Sequence, residues 1–352
     1  MKRWLVRIGT ALALVFLVLT FINASWIAPS PKGPVKLIAH RGAYQLYSTV
    51  GLGRDSCNAS RIYPPTHDYL ENTIPGIYQA GQLGARMVEL DIAPTRDGKL
   101  AVFDDGTLEC RTDGKGPVRD ATMAQLAALD AGYGYTADGG RTFPFRGKGV
   151  GQIRELAEVL ATFPERALLF NFKGTDAHEA DMLLAALKAA GRDPVLRGDG
   201  FYGAVEQGPV ARMRQLLPGA WVWSKDSAAT CTSAYAWQGW LGLTPSACRN
   251  GTLMIPLDSQ WAFAGWPNRL VARMEAAGAR VIVIGPQDGK DRPLGLDLPE
   301  QLGQIPASFN GYVWVDDIYT VGPALRPLYN KRNPVLEAEL ARELARRRKL
   351  RE

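Results

Sequence analysis

Residues 87–112, MVELDIAPTRDGKLAVFDDGTLECRT, gather the side chains best suited to chemistry. Val88, Leu90 and Ile92 alternate with Glu89 and Asp91, the period of a strand with one apolar and one polar face. The two carboxylates therefore project from the same side. Arg96-Asp97-Gly98-Lys99 reads as a tight turn. A four-residue turn pairs position 95 with 100 and sets Asp104 opposite Asp91 on the returning strand. Three carboxylates on one patch repel each other unless a positive charge sits among them, and a divalent cation with oxygen ligands meets that need. A solvated polar face is the plainer reading of the same alternation.

Three further stretches add to this patch. Residues 36–42, KLIAHRG, are an apolar strand running into His40-Arg41-Gly42. Here a general acid/base sits beside a guanidinium whose forked donors match phosphate oxygens. A core histidine and a surface ion pair are the structural alternatives. Residues 70–73, LENT, carry Glu71, with Asn72 and Thr73 read as the start of a helix. Residues 167–173, ALLFNFK, bring Asn171 and Lys173 to one face of a strand, an amide oxygen for a cation and an ammonium for a phosphate.

Taken in order, these motifs resemble the glycerophosphodiester phosphodiesterase family. Its hallmarks are HRG, ENT, E-x-D, T-x-D-G and a His-Asp pair followed by L-x-R-T. The similarity covers residues 35–330. It implies hydrolysis of a glycerophosphodiester to sn-glycerol 3-phosphate and an alcohol, with calcium or magnesium as cofactor. His40 is then a general acid/base, Arg41 and Lys173 bind phosphate, and Glu71 joins Glu89, Asp91 and Asn171 around the cation. The chain departs from the family pattern twice. Asp104 stands where the second catalytic histidine is expected, and Asn171 where a glutamate is common. Asp104 is a third ligand, a carboxylic acid kept protonated by its neighbours, or the mark of lost catalysis. Altered or reduced activity is expected, and a histidine at that position is expected to restore it. His67, in PPTHDY, offers a substitute imidazole if the insertion at 44–69 folds over the mouth. A barrel that binds a phosphodiester or lipid headgroup without turnover is the alternative function. A lipid phosphodiesterase of the sphingomyelinase D type is a third.

The elements that must hold these residues are legible as apolar segments at 35–39, 88–92, 168–172, 201–205, 221–224, 253–257, 280–284 and 312–315. Helical patterns at 123–130, 153–163, 179–190, 210–217 and 270–277 lie between several of them. Eight strands alternating with helices predict an α/β fold, a TIM (β/α)8 barrel with its chemistry at the carboxyl ends of the strands. His40, Glu89, Asp91 and Lys173 fall at those ends. An open doubly wound sheet is the alternative, without a Gly-rich dinucleotide loop to support it. At 352 residues and 46% hydrophobic composition, the chain can bury a core of barrel size.

Residues 1–28 open with Lys2, Arg3 and Arg7, followed by an apolar run over 8–22. This is a signal peptide or a signal-anchor helix, close to the ~20 residues a membrane span needs. Asn23-Ala24-Ser25 offer a cleavage site, whereas Trp26 and Ile27 extend a spanning helix with an interfacial anchor, and a retained anchor is expected. Either way the remainder is exported, to the periplasmic or extracytoplasmic face of a membrane, anchored or secreted. A linker at 29–34, the barrel at 35–330 and a basic helical tail at 331–352 follow. The tail is expected to be a solvated helix, with membrane contact as the alternative. The net charge of +6 lies largely at the two ends and favours an anionic membrane surface over nucleic acid. No Lys/Arg stripe interleaved with aromatics marks a nucleic-acid groove. Oligomeric state has no signature in the chain.

Four cysteines in an exported chain predict disulfides, with three connectivities open. Cys231 and Cys248 flank a short loop whose closure is worth about 3 kcal/mol. Cys57 and Cys110 lie in segments expected to border the site, so their pairing staples the insertion beside it. One bridge with two buried thiols is the alternative.

Overall fold

A computed structural model describes residues 2–53, 56–287, 293–325 and 333–351. Helix α1 (Lys2–Asn23) precedes strand β1 (Lys36–Ala39), helix α2 (Ile74–Gln82) and the hairpin of β2 (Met87–Pro94) and β3 (Leu100–Val102). Helices α3 (Met123–Ala128) and α4 (Leu156–Thr162) lead to β4 (Ala167–Phe172), α5 (His178–Ala189) and α6 (Pro194–Arg197). Then come β5 (Gly200–Gly203), α7 (Pro209–Leu216), β6 (Trp221–Ser224), α8 (Lys225–Gln238) and β7 (Thr252–Pro256). The barrel ends with α9 (Asn268–Ala276), β8 (Arg280–Ile284), β9 (Tyr312–Val315) and α10 (Ile318–Leu325), and α11 (Pro334–Arg351) follows.

Eight strands form one parallel sheet in the order β6-β5-β4-β2-β1-β9-β8-β7, with β3 antiparallel on β2. This is the expected TIM barrel, closed except at the β6–β7 seam. Side chains span the seam: Trp221 Nε1 donates to Thr252 Oγ1 at 2.9 Å, and Thr232 on α8 satisfies both N and O of Met254. All eight expected strands are present, each within two residues of its predicted ends.

The period of two sorts each strand between two cores. Leu37, Ala39, Val88, Leu90, Leu168 and Phe170 face the helices. Ile38, Met87, Leu169, Tyr202, Trp223 and Trp314 fill the barrel interior. Glu89 and Asp91 share the phase of Met87, so they point into the barrel, fully buried, and are not a solvated face. Asn171 follows Leu169 in the same way and lies opposite Asp91 in the β2–β4 register.

The hairpin differs from expectation by one position. Thr95 N donates to Lys99 O, and Ile92 pairs with Val102. The loop is therefore three residues, closed by Gly98 at φ 73, a conformation glycine adopts without penalty. Asp91 faces Phe103, and Asp104 lies just beyond the ladder.

Helix α2 begins where LENT predicts a helix start: Thr73 caps it by accepting from Gly76 N, although a proline and two glycines in IPGIYQAGQ obscure the pattern that follows. One helix had no clear sequence signal. In α8, KDSAATCTSAYAWQ, small and polar residues surround the axis. The tail also differs from expectation. Helix α11 is docked rather than solvated: Leu340 and Leu344 pack on Leu298, and buried Arg347 donates to Asp317 at 2.6 Å. The predicted boundary between 330 and 331 lies outside the described residues.

Candidate active site

The two short motifs are folded against each other at the carboxyl end of the barrel. Arg41 and Asn72 both adopt φ 56, left-handed conformations that cost energy in a non-glycine residue and tend to mark functional sites. Asn72 N donates to Arg41 O at 3.0 Å. Gly42, at φ 82, lets the chain pass so close to α2 that a Cβ there would come within 2.9 Å of the Gly76 carbonyl carbon. Left-handed Arg41 turns its amide toward β2, where it donates to Glu89 Oε2 at 2.9 Å.

His40 follows β1 and its Nδ1 lies 2.7 Å from Asp316 Oδ1 at the end of β9. Asp316 is itself positioned by Gly295 N, which donates to Oδ2 at 2.9 Å. A hydrogen bond from Nδ1 to Asp316 fixes the tautomer that leaves Nε2 free to exchange a proton. Tyr44 Oη lies 3.4 Å from the same Nδ1.

The carboxylates on β2 and the hairpin meet the protein's own cations. Arg41 reaches Glu71 at 2.9 Å, Asp91 at 3.3 Å and Asp104 at 2.6 Å. Lys173 Nζ donates to Asp104 Oδ1 at 2.6 Å. Buried Arg111 pairs with Glu71, Asp104 and Asp105, and Tyr135 donates to Glu71 at 2.6 Å. Asn72 braces Asp91 twice, donating to Oδ2 at 2.9 Å and accepting from its backbone N at 3.0 Å. Asn171 Nδ2 donates to Asp91 Oδ1 at 2.7 Å, so its nitrogen, not its oxygen, faces that carboxylate. Tyr202 donates to Glu89 at 2.7 Å.

These surroundings split the acids. Burial and neighbouring Asp91 push Glu89 up to about 7. Burial also acts to raise Asp104, but Arg41, Lys173 and Arg111 outweigh it and hold the group far below the usual carboxylate range. Of the three readings of Asp104, the protonated acid is the one that these three cations disfavour. Burial works against the Lys173 ammonium, yet Asp91 and Asp104 hold its pKa well above the ordinary value.

A cavity of about 270 Å³ opens here, lined by His40, Arg41, Lys173, Tyr202, Lys225 and Asp316 among others. Tyr44, Leu46, Tyr47, Thr49, Leu52 and Tyr63 also border it, so the 44–69 insertion does fold over the mouth. His67 does not take part. Gln45 Nε2 lies 3.1 Å from its Nδ1, and its ring packs against Tyr319 at a tilt of 52° with centroids 4.5 Å apart; it is not among the residues that line the cavity. Both predicted bridges are present, Cys57–Cys110 and Cys231–Cys248, and no free cysteine remains. The first joins the insertion to the segment carrying Arg111.

Asp316, Asn72, Arg111, Tyr202 and Lys225 were missed by sequence reasoning. Arg111 stands in LECRT, one residue longer between Leu and Arg than the L-x-R-T hallmark. Asp316 follows the last strand as His40 follows the first, and strand-end position alone was the available signal.

The fold and site define a (β/α)8 barrel with a histidine–carboxylate pair and a cluster of buried carboxylates and cations at its carboxyl mouth. Residues 40–197 match the profile of the glycerophosphoryl diester phosphodiesterase family. It is 45% identical over 62 residues to a glycerophosphodiester phosphodiesterase of Caldanaerobacter subterraneus, covering 18% of this chain and 26% of the relative. It is 31% identical over 159 residues to rat glycerophosphodiester phosphodiesterase 1, covering 45% of this chain and 38% of the relative. The chain thus spans well under half the length of these relatives. Among solved structures, the fold resembles a glycerophosphodiester phosphodiesterase from Agrobacterium tumefaciens, with TM-score 0.52, 19% identity, and coverage of 82% of this chain and 99% of that one. A phosphodiesterase from Oleispira antarctica in complex with the product sn-glycerol-3-phosphate matches with TM-score 0.52, 18% identity, and coverage of 86% and 99%.

Proposed function

We propose that this protein is an exported, metal-dependent glycerophosphodiester phosphodiesterase that releases sn-glycerol 3-phosphate and an alcohol. The observation that carries the reading is one cavity in which Asp316-oriented His40 faces Arg41 and Lys173 above buried carboxylates. The profile match over residues 40–197 and the likeness of fold support it.

Among the described residues no three His, Cys, Asp or Glu side chains converge as a preformed metal site, but the oxygen donors at hand suit a hard divalent cation. Five carboxylates, Glu71, Glu89, Asp91, Asp104 and Asp105, cluster with three cations, Arg41, Arg111 and Lys173, an excess of two formal negative charges when Glu89 is ionised. Glu71, Glu89 and Asp91, with the amide oxygen of Asn171, would hold calcium or magnesium, oxygen ligands suited to either ion. A cation held there would supply polarisation of a phosphoryl oxygen. Arg41 and Lys173 pair with the remaining phosphate oxygens, and Arg41 exchanges carboxylate contacts to do so. His40 Nε2 takes the proton of the attacking hydroxyl.

Asp104, held ionised, cannot protonate the leaving alcohol. Lys225, at the rim of the cavity after β6, can: burial and nearby Lys173 lower its pKa and ease release of a proton. Phosphorus NMR tests the assignment through the bond broken. Glycerophosphocholine should give sn-glycerol 3-phosphate and choline. Phosphocholine and glycerol as products would refute the reading. A second reading, headgroup binding without turnover, is favoured by the replacement of the second histidine with ion-paired Asp104. It predicts calorimetric binding of glycerophosphocholine with no product.

A further inference from the structure

A cluster of exposed apolar side chains surrounds the end of α1. That helix contains 21 residues, 3–23, long and apolar enough to cross a membrane, and none of its most apolar window is buried against the barrel. Its last turn is nonetheless built into the protein. Arg273 on α9 donates to Ile22 O and to Asn23 Oδ1, both at 2.9 Å, and so ties down carbonyl groups that a helix end leaves unpaired. Asn23 Nδ2 donates to Trp240 O at 2.8 Å, and Asn268 N donates to Ser25 Oγ at 2.9 Å. The loop after α8 sits so tightly on the helix that a Cβ on Gly242 would come within 2.7 Å of Ile22 Cδ1.

Around this junction large apolar side chains face outward. Trp26 is 84% exposed and Trp261 80%, and Trp240, Leu241 and Leu243 are exposed beside them. Trp26, Trp240 and Trp261 share a groove of about 540 Å³ with Phe16 and Leu19 of α1. A soluble surface seldom carries so many clustered apolar groups, and tryptophan concentrates where membrane meets water, its ring in the apolar boundary and its N–H in a polar one.

We propose that this face is a membrane-seating surface, in which Trp26, Trp240, Leu241, Leu243 and Trp261 lie in the headgroup–acyl boundary of the bilayer crossed by α1. The occupant is lipid because the patch is continuous with a helix of membrane-spanning length and surrounds the point where that helix leaves the barrel. The surface stands on its own geometry and does not depend on the catalytic reading.

The test reconstitutes the full chain in phosphatidylcholine vesicles and compares wild type with W240F/W261F. The difference between their emissions reports Trp240 and Trp261. Phenylalanine keeps the apolar bulk, and thermal melting by circular dichroism checks that the variant is folded. With brominated acyl chains the difference emission should fall more than twofold, while aqueous iodide leaves it nearly unchanged. Strong iodide quenching with no effect of bromine would overturn the proposal. So would shielding from both quenchers, which would place a second copy of the chain on the face instead of lipid.

Discussion

Glu89 offers a substitution that should strengthen the fold while removing the function. Glu89→Gln is isosteric and keeps both contacts, since the amide oxygen still accepts from Arg41 N and the amide nitrogen can donate to Tyr202 Oη. Burial and Asp91 raise the folded-state pKa of Glu89 from 4.5 to about 7. At ~1.4 kcal/mol per decade, ionising this buried group costs the fold about 3 kcal/mol. The folded state holds the proton more tightly than the unfolded chain. Its contribution is therefore complete below about pH 4.5 and is lost as pH rises through 7. The variant should match wild type in urea unfolding at pH 4.5 and exceed it by about 3 kcal/mol at pH 8, both without added metal. Added calcium or magnesium should then stabilise wild type at pH 8 but not the variant, because a cation that binds the native state shifts its stability by mass action. A variant less stable than wild type at pH 8, or a difference independent of pH, would refute the reasoning.

Asp104→Asn should cost about 3 kcal/mol in urea unfolding, because it removes a carboxylate partner from buried Arg41 and Arg111. Asp104→His should likewise lose stability and gain no kcat/KM on glycerophosphocholine, since three cations surround the new imidazole; a gain would show that the missing histidine alone limits the site. Removing Cys57–Cys110 should lower unfolding free energy by about 4 kcal/mol and removing Cys231–Cys248 by about 3, from sequence separations of 53 and 17, as read by urea titration of Cys→Ser pairs. Lys225→Met should slow choline release from glycerophosphocholine about 10²-fold yet spare bis-p-nitrophenyl phosphate, whose leaving group needs no proton. Equal losses on both substrates would remove Lys225 as the acid.

The barrel was legible because each strand carries an apolar run of its own, and strand–helix alternation constrains topology strongly. Glu89, Asp91, Asn171 and Lys173 were placed on one face by the period of two alone, and Asp104 reached the same cluster despite the register error. That error arose from loop length: Arg96-Asp97-Gly98-Lys99 fits a three- or a four-residue turn, and the ladder pairing decides between them. Long-range partners were not legible. Asp316 lies 276 residues from His40, and Tyr202 lies 113 from Glu89, distances at which sequence spacing carries no information. Charge compensation was misjudged for the same reason. Three converging carboxylates called for a positive charge, and Arg41, Arg111 and Lys173 supply part of it from distant segments. The tail looked solvated because the partners that dock it lie far along the chain: Arg347 and Arg348 find Asp317 and Glu300 on the barrel.

The most direct test of the central claim is kcat/KM for glycerophosphocholine, measured on the full chain with calcium or magnesium, with a chelator, and in His40→Ala. Wild type with metal should turn over, the chelator should abolish turnover, and His40→Ala should lose about 10²–10⁴-fold. Absence of product from the folded, metal-supplied protein, or turnover that survives both the chelator and His40→Ala, would contradict a metal-dependent phosphodiesterase centred on this site.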